Sequence, residues 1–160
     1  MTRGESIDLY RSLNQLGNLQ GVKFAYCVAK NINMLKEEMT ALDKSMEFSE
    51  KYKEFDSARI DLAEKYADKD ESGEAKKEKS RNGGEQFVIS PVNQKKFEKD
   101  FEVLKKAHKA SVLERDKQME DYTKLLMEQS AYVPYKVKLE NVPDTINAGQ
   151  ISGIYEIIEE

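Results

Sequence analysis

VKFAYCVAKNINMLKEEMTALDKSM (residues 22–46) is the stretch whose reading decides the fold. Ala25, Val28, Ile32, Leu35, Met39, Leu42 and Met46 recur in it at alternating steps of three and four. That is the period at which side chains return to one side of a helix, and here it forms a heptad seam. After Met46 the spacing slips, as at a local insertion in the heptad register. Phe48, Tyr52, Phe55, Ala58, Leu62 and Tyr66 then carry the stripe onward. Read as one element, residues 22–66 predict a helix of about 65–70 Å at about 1.5 Å per residue.

Upstream, Ile7, Leu9, Tyr10, Leu13 and Leu16 supply an apolar stripe for a short helix over about 6–16, with Ser6 as its cap and Gly17, Asn18 and Gly21 as turn residues. Downstream, Asp68–Glu74 breaks the helical pattern. The Asn82-Gly83 pair favours a tight hairpin turn between the charged arm 76–79 and a returning strand over 86–89. Ser90-Pro91 marks a helix start. From it a third element runs over about 91–130, with Phe97, Phe101, Leu104, Met119, Tyr122 and Leu126 on its clearest face and a weakly apolar middle at His108–Ser111. Tyr135–Leu139 alternates at period two and reads as a strand. Ile146, Ile151, Ile154, Ile157 and Ile158 suit a terminal amphipathic segment.

The predicted fold class is therefore mainly α, as one domain over 1–160. A long antiparallel helical hairpin (about 22–66 against about 91–130) carries a polar tip at about 67–90, a short N-terminal helix, and a small C-terminal strand and apolar segment at about 135–158. Two helices side by side have little interior of their own, so the exposed apolar residues predict self-association into a homo-oligomer.

Composition excludes several classes of function. Charged residues make up 35% of the chain and both signs are mixed throughout, for a net charge of −4, which argues against general nucleic-acid binding through an uncompensated basic face. No apolar run is long enough to span a membrane. The first residues lack the apolar centre of a secretion signal, and Cys27 is the sole cysteine, so no intramolecular disulfide can form and a cytoplasmic location is expected.

Catalytic and metal motifs are poorly matched. Asp68, Asp70, Ser72 and Gly73 resemble the start of a calcium loop, but Lys79 stands where the bidentate glutamate belongs, so a polar turn is the better reading. His108 is the only histidine and sits on a charged helix without a positioned nucleophile. No phosphate-binding, dinucleotide or nucleophile-elbow motif is found. The expectation is a protein without catalytic activity, cofactor or metal.

What remains is the start of the seam itself. On a helix Lys23, Tyr26 and Lys30 lie along one strip, with Met34 continuing it, while Phe24, Cys27 and Asn31 lie along another. Two lysines two turns apart with a tyrosine between them suit an anionic ligand with a planar group, since ammonium meets phosphate and the ring stacks on a base. Asn31 is placed to read an edge of that ligand, and Arg59 is a second candidate cation. The competing reading is plain packing, with lysine stems covering apolar surface.

The pattern K-x-x-Y-x-x-A-K-N at 23–31, followed by Leu35, Glu38 and Leu42, by A58-R59-x-x-L62 and by the acidic tail IYEIIEE (154–160), resembles small phage and prophage proteins of unassigned function. The resemblance implies a phage origin and supplies no catalytic residue. Two roles fit such a protein. The leading one is a non-catalytic, oligomeric counter-defence binder that sequesters a nucleotide-type immune signal of the host. The other is a virion assembly or adaptor protein that contacts a host or phage protein through its helices.

Overall fold

The computed structural model describes residues 1–17, 21–80 and 83–159. Asn18, the Asn82 half of the expected Asn-Gly turn, and Glu160 of the acidic tail lie outside the described residues. The chain is mainly helical, with small strands, and among the described residues no helix is long and apolar enough to cross a membrane. The domain expected over 1–160 is built as two compact units, one of residues 1–47 and 119–160, the other of 48–118.

Neither long helix of the expected hairpin is continuous. In place of 22–66 the chain forms α2 (Val22–Ser45) and α3 (Glu50–Tyr66), separated by residues 46–49. The register slip after Met46 is therefore a helix end, and the next helix starts at a cap: the Ser49 hydroxyl accepts a hydrogen bond from the Tyr52 backbone N–H. In place of 91–130 stand α4 (Pro91–Ala107) and α5 (Lys109–Met127), which meet at His108. The first helix, α1 (Arg3–Asn14), begins earlier than expected because Thr2, and not Ser6, caps it. Thr2 and Glu5 form a reciprocal capping box that satisfies two backbone donors at once.

In the first unit α1 packs against α2 and against α6 (Ala148–Ile154), around a core that includes Leu9, Leu13, Phe24, Leu35, Ile154 and Ile157. Of the tail isoleucines, Ile154, Ile157 and Ile158 are buried here, and Ile146 and Ile151 pack half-buried against them. The predicted strand 135–139 shrinks to Val137–Lys138, which pairs in parallel with Ile158–Glu159. The buried face of α2 is Phe24, Cys27, Val28, Asn31, Leu35, Met39 and Leu42. From Leu35 onward this is the predicted seam. Before it Val28 also keeps its predicted place, while Phe24, Cys27 and Asn31 are buried in place of Ala25 and Ile32, because Phe24 and Cys27 bury more apolar surface than Ala25 does.

α1 and α6 approach so closely at Gly153 that a Cβ built there would lie 2.7 Å from the Ser12 Oγ and 2.9 Å from the Ser12 Cβ. A glycine inside a helix normally weakens it; here it is the condition for the contact.

In the second unit α3 and α4 run antiparallel, joined by aromatic pairs. Tyr66 meets Phe97 edge-on at 6.3 Å and Phe55 lies 6.4 Å from Phe101, while within α4 Phe97 stacks on Phe101 at 5.6 Å. The Tyr66 hydroxyl donates to Asp100 at 2.7 Å and holds that carboxyl below the usual carboxylate range. Residues 77–79 and 85–87 form a small antiparallel hairpin. The calcium-like turn is closed on itself: Asp70 Oδ1 accepts from the Ser72 N–H, the Ser72 hydroxyl and the Glu74 N–H. With its acceptor turned inward, Asp70 serves as the turn's own cap.

Gly153→Ala is expected to lower stability by about 1–2 kcal/mol, because the overpacking cost exceeds the helix-propensity gain. Urea unfolding of the variant checks this; unchanged stability would mean that α1 and α6 are not in contact at this point.

Candidate functional site

α2 presents two opposite faces at its N-terminal half, and the residues of the expected ligand strip are divided between them. Asn31 lies on the inner face and is fully buried. Its side-chain amide works as a peptide group would. Nδ2 donates to the carbonyls of Cys27 and Tyr135, both at 2.8 Å, while Oδ1 accepts from the Tyr135 N–H at 2.8 Å and from the Tyr132 hydroxyl. An asparagine amide has two donors and two acceptor positions. All four are used, so Asn31 has no capacity left to read a ligand edge. It is a clasp that pins the segment 132–135 onto α2.

Cys27 completes the clasp. Its thiol donates to the Tyr135 carbonyl at 3.1 Å, and burial pushes its pKa above the ordinary thiol value. Burial likewise pushes the Tyr132 phenol up, reinforced by the neighbouring Cys27. Both groups are thereby kept neutral, which suits donors inside a core and not a nucleophile. Further along α2, Glu38 accepts from the Ser130 hydroxyl at 2.6 Å and pairs with Arg3 at 3.3 Å, and Arg3 also pairs with Glu128. The whole stretch 128–135 is held in place against α1 and α2.

The outer face follows from this clasp. With its backbone fixed by Asn31, Tyr135 projects its ring outward, where the Lys30 ammonium sits 3.7 Å from the ring centroid. Tyr26 meets Tyr135 edge-on at 5.9 Å. Tyr26 is 58% exposed and Met34 43% exposed. Beside them lies an open hollow of about 500 Å³ lined by Tyr26, Ala29, Lys30, Asn33, Met34 and Glu37. Every lining residue comes from α2, so the hollow is the outer groove of one helix.

Of the expected site residues, then, only Tyr26 and Lys30 come together. Lys23 faces a separate hollow with Val22 and the turn 140–145. Arg59 belongs to the second unit, where its guanidinium pairs with Asp56 at 2.7 Å. Tyr135 and Glu37 were not anticipated. Tyr135 is more than a hundred residues away along the chain, and the period-two pattern that it opens suggested a strand face, not a ring laid over a lysine. Among the described residues no cluster of His, Cys, Asp and Glu is arranged to hold a metal ion.

Comparison with protein-family models, with curated proteins and with solved structures finds no match to this chain. The site itself therefore carries the functional argument.

Two outcomes test the clasp. Asn31→Ala should cost about 3 kcal/mol or more, since it strands the Tyr135 N–H and the Tyr132 hydroxyl in the core; Lys30→Ala should cost less than about 1 kcal/mol. Equal costs in urea unfolding would contradict the division into inner and outer faces. The raised pKa values of Cys27 and Tyr132 also set a pH dependence. In the folded state both protons are retained above the ordinary thiol and phenol values, where the unfolded chain loses them. Their contribution is complete below those values and is lost as pH rises. Stability should fall above a pH of about 9–10, and this alkaline loss should shrink in Tyr132→Phe.

Proposed function

We propose that this protein is a non-catalytic binding protein, an adaptor that contacts a protein partner through the outer groove of α2. The observation that carries the reading is the make-up of that groove. One helix lines it; exposed Tyr26 and Met34 flank small Ala29; Lys30 and Glu37 stand two turns apart. A pocket for a small ligand encloses it with walls from several elements. A groove between ridges on one helix receives the ridge of another helix. Exposed aromatic and methionine side chains around a small residue are also what interface centres are made of. The resemblance to small phage proteins favours a role for such an adaptor in virion assembly, in the cytoplasm of an infected cell.

A second reading keeps the nucleotide-type ligand. It is favoured by one observation, the Lys30 ammonium lying over the Tyr135 ring beside an open hollow. Lys23 and Arg59 do not join that pair, and the Glu37 carboxylate in the same hollow repels an anion.

The two readings separate cleanly. A photo-crosslinking residue at exposed position 33 should give one dominant protein adduct, identified by its peptides, and the same residue at exposed position 123 should give none. The adaptor reading also expects no thermal shift with a panel of cyclic nucleotides and ADP-ribose derivatives. A true ligand at about 100 times its Kd would stabilise the fold by about 2.7 kcal/mol, and such a shift, absent in Lys30→Ala, would replace the adaptor reading with the second.

A further inference from the structure

Resting on the reading of the α2 groove as a protein-docking surface, we infer that its occupant is the same groove of a second copy, with the two α2 helices antiparallel. The order of residues along the stripe fits this pairing. A two-fold axis passing between Asn33 and Met34 sets each residue of one copy against the residue an equal distance beyond the axis in the other. Asn33 then faces Met34 of the second copy, Lys30 faces Glu37, and Tyr26 faces Ala41. Because the axis is two-fold, each of these contacts is made twice.

The charges are complementary in this arrangement. Among the described residues neither Lys30 nor Glu37 has an ion-pair partner within the chain, although both lie on the open stripe. Antiparallel docking pairs both lysines with both glutamates, whereas parallel docking in register would set lysine against lysine. Sizes match as well: the large Tyr26 ring meets the small exposed Ala41, and Ala29 keeps the helix backbones free to approach. The next pair outward, Lys23 with Lys44, is like-charged. It marks where the helices must diverge, as they do at the usual crossing angles of about 20–50°.

The patch is short and its ion pairs lie at a wetted rim, so the dimer is weak and salt-sensitive. The stripe is also rigidly presented. The Asn31 clasp fixes the Tyr135 backbone, and the Lys30 ammonium sits 3.7 Å from the centroid of the Tyr135 ring.

Sedimentation velocity of the full chain over a concentration series at low salt tests this. The wild type should pass from monomer to dimer. Lys30→Glu and Glu37→Lys should each weaken association by about tenfold or more, because each places like charges across the axis. An equimolar mixture of these two variants should regenerate a dimer, since one chain then presents carboxylates at both positions and the other presents ammonium groups at both. Circular dichroism of each variant confirms that the helices are intact. A wild type that stays monomeric throughout, single variants that associate as the wild type does, or a mixture that stays monomeric would each overturn the inference. If the position-33 crosslinker captures a different protein while the wild type is monomeric, the docking surface stands and the second copy does not. A monomer with no crosslink removes both.

Discussion

The constraint on which the first unit depends is a buried asparagine with every hydrogen bond filled. Asn31 sits inside α2 and offers the segment 132–135 the paired donor and acceptor that a neighbouring strand would offer. Burying an amide is costly unless all of its partners are supplied, and here two backbone groups of Tyr135, the Cys27 carbonyl and the Tyr132 hydroxyl supply them. An irregular stretch of chain is thereby fixed as firmly as a strand. Pro134 cannot contribute an N–H, so the neighbouring Tyr135 must make the contact.

Local chemistry and tertiary position are linked through this clasp. The polar atoms gathered around Asn31 need their neutral forms, and the burial that makes them useful as donors also keeps Cys27 and Tyr132 protonated. The same geometry turns the Tyr135 ring outward over Lys30. The buried face of α2 thus positions the exposed one. The second unit works differently: around the buried Phe55 it relies on tilted and edge-on contacts between the aromatic rings of α3 and α4, with Phe97 and Phe101 stacked on one another along α4. Some of its charged side chains pair with one another, as Arg59 does with Asp56.

Much of this was legible in the chain. The helical period, the start at Ser90-Pro91, the burial of the terminal isoleucines and the self-closed turn at Asp70 follow from local rules, because capping, turn formation and amphipathic spacing involve residues within a few positions of one another. The breaks were harder to read. Ser49 is a good N-cap, but the apolar stripe runs past it at nearly the right spacing, so a helix end looked like a shift of register. At His108 the weakly apolar middle was visible, while its consequence, a boundary between α4 and α5, was not.

The site was legible only in part. Tyr26 and Lys30 share a helical strip, and three- and four-residue spacing suffices to place them together. The same spacing cannot say which side of the strip faces the core. Asn31 is polar and looks exposed until Tyr132 and Tyr135 arrive to satisfy it, and Phe24 and Cys27 outweigh Ala25 only once the rest of the first unit's core is there to bury them. The sequence by itself determined the helices and the periodic faces they carry, since these depend on neighbours along the chain. Only the tertiary structure decided which face is inside and which lysine meets an aromatic ring, since those depend on contacts between residues a hundred positions apart, which no local pattern encodes.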